Sequence, residues 1–202
     1  MSKAELRFFR DTLQAHLDWF AGRGLKARFW WRDDDAVEPT PKLERLLDIA
    51  KEFDAQVALA VIPAAATQEL VERLKEEPQA VVFQHGFQHL NHQRKDRGEK
   101  AAELGVRRDA DEAIAELRQG REILGRLFGD KFLPTLVPPW NRIAPAIVRR
   151  LPEAGLSGLS TFTWMHPYSR RQIQSHVDII KWKKGRSFIG YQCAALRYDL
   201  QF

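Results

Sequence analysis

Cys193 is the only cysteine in this chain of 202 residues. No intramolecular disulfide can form, so the fold must rest on a packed core, and the composition suits a reducing compartment. Long apolar runs are missing too, and nothing approaches the roughly 18 residues of a membrane span. The opening Met-Ser-Lys-Ala-Glu-Leu-Arg-Phe-Phe-Arg-Asp carries charges where a signal peptide needs its apolar centre. These absences lead to the expectation of a cytoplasmic protein with no membrane partner. Excess charge of one sign is small. The 32 Lys and Arg against 27 Asp and Glu leave +5, too little over this length to mark a nucleic-acid binder. There is no Pro/Gly/Ser-rich linker, internal repeat or low-complexity tract. One domain over 1–202 is the economical reading, with residues 1–24 as a helix packing on it. Nothing in the sequence fixes an oligomeric state.

Several catalytic signatures are also lacking. There is no Gly-Lys-Ser/Thr phosphate loop and no Gly-x-Ser-x-Gly elbow, and Gly86 stands where His-Glu-x-x-His would need its Glu. Cys193 lies far from the histidines in sequence, so nothing favours a Cys/His nucleophile pair.

What is present is a strand–helix alternation. Ser2 and Glu5 form a capping-box pattern ahead of a helix over 2–22, with Leu6, Phe9, Leu13, Leu17 and Phe20 on one stripe. Strands are predicted over 26–32, 57–62, 80–83, 132–137, 158–162 and 176–180. Helices are predicted over 41–53, 67–77, 110–128 and 143–151, with a last helix in 187–202. Thr40-Pro41 opens the first of these as N-cap and first-turn proline. Residues 93–108 are polar and rich in Lys and Arg, and read as a solvated surface loop. The repeated alternation predicts a mainly parallel sheet, either open and doubly wound or closed into a barrel.

Two clusters carry chemistry. Histidine is scarce, six in all, yet His85, His89 and His92 fall together where the third predicted strand opens into a loop. His85 and His89 are close enough in sequence to reach one ion. The first predicted strand runs into Asp33-Asp34-Asp35, three carboxylates that would repel one another without a cation or donors. In parallel α/β proteins strand C-termini share one face, so the two clusters should converge there. One Asp and two His around an ion, with a position left open, is a usual form of catalytic zinc. Such an ion lowers the pKa of a bound water toward about 7, and a neighbouring Asp could remove its proton as general base. This outlines a hydrolase acting on an amide or ester.

Taken together, Asp-Asp after the first strand, His-x-x-x-His after the third and Pro138-Pro139-Trp140 after a later one resemble the polysaccharide deacetylases. That is the NodB-homology group, family 4 of the carbohydrate esterases. The resemblance covers roughly residues 26–165. It implies an irregular (β/α)7 barrel, a divalent metal with Zn2+ as the expected ion, and an acetylated sugar or related small amide as substrate. By the same resemblance Asp34 is the catalytic base, and Asp35, His85 and His89 are the metal ligands. The register Asp33/Asp34 is the alternative. Pro139, Trp140, Asn141 and His92 are candidates for binding substrate. Val137 stands where the family has the Arg that orients the base, and Arg32 or Arg142 could substitute. The family's last motif, an apolar strand ending in Leu-x-His, is not found, which implies a shortened barrel lacking its final strand and helix. His176 is the remaining candidate for general acid; His166 is the only other downstream imidazole. Two other readings stay open at this stage. One is a catalytically silent carbohydrate-binding protein using Trp30, Trp31, Trp140 and Trp164, and the other is a metal-dependent hydrolase of another non-peptide amide.

Overall fold

Val57-Ala-Leu-Ala-Val61 is apolar at every position, as a strand covered on both faces requires. All five residues of this strand, β2 (Val57–Val61), are buried. Parallel to it on either side run β1 (Trp31–Ala36) and β3 (Ala80–His85). The parallel pairing continues through β4 (Phe132–Val137) and β5 (Gly158–Phe162). With β6 (Gln172–Ser175) the sheet has six strands, in the order β1-β2-β3-β4-β5-β6. The computed structural model describes residues 2–162, 172–182 and 185–202.

That strictly sequential order decides between the two predicted architectures. A doubly wound sheet reverses direction at a switch point, whereas winding always in one direction gives a barrel. The sheet is a curled, incomplete (β/α) barrel in which, among the described residues, β1 and β6 remain as edges.

The connecting helices α2 (Pro41–Glu52), α3 (Gln68–Lys75), α4 (Ala110–Phe128) and α5 (Pro145–Arg150) begin where the local chemistry dictates. The Thr40 and Thr67 hydroxyls accept from the Leu43 and Leu70 amides, and the Asp109 carboxylate accepts from those of Asp111 and Glu112. Each such cap contributes about 1 kcal/mol. Leu43, Leu47, Leu70, Leu74 and Leu124 pack with Val57, Leu59 and Val82 in one core, and Leu117, Leu136, Ile147 and Leu159 belong to a second. The opposite face of the strands carries only a small cluster, Ala58, Ala60, Phe83 and Val137.

The chain divides into two compact units, Trp30–Gln174 and a pairing of its ends, Met1–Phe29 with Ser175–Phe202. The first unit holds the barrel strands. In the second, α1 (Lys3–Ala21) has the full capping box between Ser2 and Glu5. It packs against α6 (Tyr191–Asp199), with the Phe9 ring between those of Tyr191 and Tyr198. Two short antiparallel strands, β7 (Ile180–Lys181) and β8 (Ser187–Phe188), complete this unit.

Several elements differ from expectation, among them the last helix, expected in 187–202, which is α6 at Tyr191–Asp199 with Ser187–Phe188 in β8. The first strand begins at Trp31 because its partner β2 begins at Val57, opposite Trp31. The Asp triplet therefore lies inside the strand rather than after it. Residues 176–179 are not a strand; His176 follows β6 directly. Residues 93–108 are not simply a solvated loop: Ala102, Glu103 and Leu104 are buried, and Leu104 bridges to Ile143.

Candidate metal centre

The site is built on a break in the β1–β2 register. Asp33 pairs with Leu59 and Ala36 with Val61, so two residues of β1, Asp34 and Asp35, stand against one residue of β2. An extra residue of this kind bends the strand and re-aims its side chains. Asp35 takes up the bulge with φ 72°, a left-handed conformation unusual for a residue other than glycine. The two neighbouring carboxylates consequently serve different partners.

Asp35 meets the histidines. His85, the last residue of β3, has Nε2 3.0 Å from Asp35 Oδ1, and His89 has Nε2 3.2 Å from the same oxygen. The ligand atoms of all three residues lie within 4.8 Å of one another. His85 is buried, and its Nδ1–H donates to the Val137 carbonyl at 2.9 Å. That bond commits Nδ1 as donor, so in the neutral ring Nε2 presents its lone pair to Asp35. A lone pair facing a carboxylate oxygen at this distance requires a proton or a cation between them. The spacing suits the second. Tetrahedral zinc with bonds of about 2.0–2.1 Å places its ligand atoms roughly 3.3 Å apart. The buried imidazole tied to a backbone carbonyl is also the usual outer support of a metal-binding His. The residues present therefore fit a divalent ion.

The electrostatics agree. Contact with His85 and then with His89 holds Asp35 far below the usual carboxylate range, against the opposing effect of burial. The Asp35 carboxylate in turn raises the His89 pKa, again partly opposed by burial.

Asp34 meets an arginine. Arg32 Nε lies 2.9 Å from Asp34 Oδ1, and its Nη2 donates to Oδ2 at 3.0 Å. The same guanidinium donates to Asn141 Oδ1 at 2.8 Å and to Ser160 Oγ at 2.9 Å. It is thus fixed from β1, β5 and the turn after β4. Val137 offers no cation; it is fully buried among Ala58, Ala60 and Phe83. Arg142 is occupied elsewhere, donating to the Ala101 carbonyl at 2.9 Å. Of the two cations considered from sequence, Arg32 is the one at Asp34.

Around these groups the backbone is unusual. Asp35, His89, Trp140 and Asn141 are all at positive φ, and the only other such non-glycine residue among those described is Asp54. Clustering of this conformation marks functional sites more often than packing alone would. The Trp140 ring approaches that of His89 to 4.3 Å between centroids. Pro139 is buried against Gly86: a Cβ on Gly86 would lie 2.7 Å from Pro139 Cγ and 1.8 Å from Glu103 Oε2.

The remaining candidates are distributed differently. Asn141 faces Arg32 through its side-chain oxygen. The His92 amide donates to the Ala102 carbonyl at 3.1 Å. His176 is exposed and belongs to the other compact unit. Among the tryptophans, Trp31 packs on the core and Trp30 lies against Phe83, while Trp164 and His166 fall outside the described residues. Sequence reasoning missed Glu103 and Ser160. The first had a faint signal: in Ala101-Ala102-Glu103-Leu104-Gly105 it is the single charge within a small apolar stretch of an otherwise highly charged segment.

No family model matches the sequence, and no curated protein matches it significantly. Solved structures do match. One is a peptidoglycan N-acetylglucosamine deacetylase, 18% identical with TM-score 0.51 over 64% of this chain and 54% of that one. The deacetylase PplD of Streptococcus pyogenes, solved with acetate, is 14% identical with TM-score 0.52 over 80% of this chain and 64% of that one. A de-N-acetylase from Aggregatibacter actinomycetemcomitans is 11% identical with TM-score 0.58 over 80% of this chain and 81% of that one. The chain thus spans less than two thirds of the length of the first two. At such identities the likeness is one of fold, and the fold of this chain is that of the polysaccharide deacetylases and family 4 carbohydrate esterases.

Proposed function

We propose that this chain is a metal-dependent deacetylase that removes an acetyl group, held as amide or ester, from a carbohydrate. One observation carries the reading: Asp35, His85 and His89 gather their ligand atoms at the strand ends, directly beside a second carboxylate secured by its own arginine. The fold shared with a peptidoglycan N-acetylglucosamine deacetylase and with the deacetylase PplD supports it. In this reading Asp35, His85 and His89 hold the ion, with zinc favoured by the mixed nitrogen and oxygen donors and their spacing. When bound, the ion supplies Lewis acidity toward the acetyl carbonyl and makes water a better nucleophile near neutral pH. Asp34 accepts the proton of the attacking water, and Arg32 fixes the plane of its carboxylate. Trp140 offers an aromatic face to a sugar ring, with Pro139 and Asn141 setting its turn and His92 placed on the substrate loop.

Acetate release tests this. Zinc-loaded protein is expected to liberate acetate from acetylated chito-oligosaccharides or acetylated xylan. Asp34→Asn should lower kcat by about 10²–10⁴-fold while retaining the ion, as loss of a general base does. Fully metal-loaded wild type that releases no acetate from any acetylated sugar would rule the activity out.

A further inference from the structure

Glu103 is a carboxylate at 1% exposure, and its oxygens are taken up by backbone amides. Phe87 N lies 3.3 and 3.2 Å from Oε1 and Oε2, Gln88 N 2.8 Å from Oε1 and His89 N 3.1 Å from Oε1. Three successive amides converging on one anion form a backbone cradle of the kind that binds phosphates, filled here by the protein's own side chain. The turn it closes starts at Gly86 and ends at His89, both at φ 59°. Gly86 is required there, because any Cβ would collide with Glu103. The segment bearing Glu103 is itself anchored. Asn91 Oδ1 accepts from the Gln93 and Ala102 amides, Arg142 donates to the Ala101 carbonyl, and Leu104 bridges to Ile143.

We propose that Glu103 is a positioning residue: its carboxylate holds the 86–89 turn and so places the His89 imidazole beside Asp35. The segment 91–108 is then a strap on the second histidine through its buried stretch Ala102–Leu104, while Arg94, Lys95, Asp96 and Arg97 stay exposed. This rests on the reading of Asp35, His85 and His89 as a metal site, and its test separates the two claims. In metal-free protein, hydrogen exchange of the Phe87, Gln88 and His89 amides is compared between wild type and Glu103→Ala, which removes the acceptor oxygens. Zinc affinity is measured by chelator competition on the same proteins, with Leu117→Val as a control for general loss of stability. Glu103→Ala should lose protection at the three amides and bind zinc at least about tenfold more weakly. Leu117→Val should change neither. Retained protection in Glu103→Ala would overturn the proposal, as would lost protection with unchanged zinc affinity. If wild type binds no zinc, the metal reading falls. Retained protection would then also overturn the Glu103 hold on the turn, and loss confined to these three amides would support it.

Discussion

His85 has one ring nitrogen committed to the Val137 carbonyl and the other turned to Asp35, and this division of labour is what a ligand histidine needs. Its partner across the sheet does two jobs. The carbonyl of Val137 orients His85, while its side chain packs with Ala58, Ala60 and Phe83 and offers no charge to Asp34. That task falls to Arg32, two residues before Asp34 on the same strand. In a regular strand residues two apart point to the same side, and the bulge at Asp34 and Asp35 begins just beyond, so the pair closes locally. Arg32→Ala should leave zinc binding intact and lower kcat by roughly 10–100-fold through loss of orientation. Arg32→Lys should rescue little, since an ammonium cannot reproduce the planar fork shared among Asp34, Asn141 and Ser160. Steady-state kinetics on both variants decides; full activity in Arg32→Ala would remove the arginine from the mechanism. None of this was legible beyond the bare possibility of Arg32, because Ser160 and Asn141 reach it only through the folded sheet.

At the scale of elements, β1 and the turn after β3 carry the design. The sequence shows the carboxylates and imidazoles as local motifs, so their convergence follows from parallel strands alone. It does not show the register break that separates Asp34 from Asp35, because bulges depend on the partner strand. Nor does it show the Glu103 strap, a contact across more than a dozen residues within a segment whose average composition is charged. Helices α2, α3 and α4 were legible to within two residues, since caps such as Thr40, Thr67 and Asp109 act within a few positions. The 86–89 turn gives a direct check. Gly86→Ala combines left-handed backbone with a clash against Glu103 and Pro139. The backbone strain alone costs about 1–3 kcal/mol. Urea denaturation should show at least that loss, and a variant as stable as wild type would contradict the described turn.

For the whole molecule, the division into a barrel unit and a helical unit made from both chain ends was not legible. The amphipathic stripe of the N-terminal helix does not identify α6 as its neighbour. Among the described residues no helix is long and apolar enough to cross a membrane. Stability should report the state of the site. In metal-free protein the raised His89 pKa contributes stability below the unfolded value of about 6.5, lost as pH rises through the folded value. The depressed Asp35 pKa contributes above about 3.9 and is lost as pH falls. Zinc requires the neutral imidazole, so its binding strengthens as pH rises through the His89 range. The increase in Tm on adding zinc should therefore grow from about pH 5.5 to 8. An increment independent of pH would place the ion away from the histidines.

The most direct measurement is the metal content of purified protein after reconstitution with zinc, for wild type and for His85→Ala, His89→Ala and Asp35→Ala. The account predicts a single tightly held ion per chain in wild type and its loss in each variant that remains folded. Wild type without metal, or variants that retain it, would contradict the account.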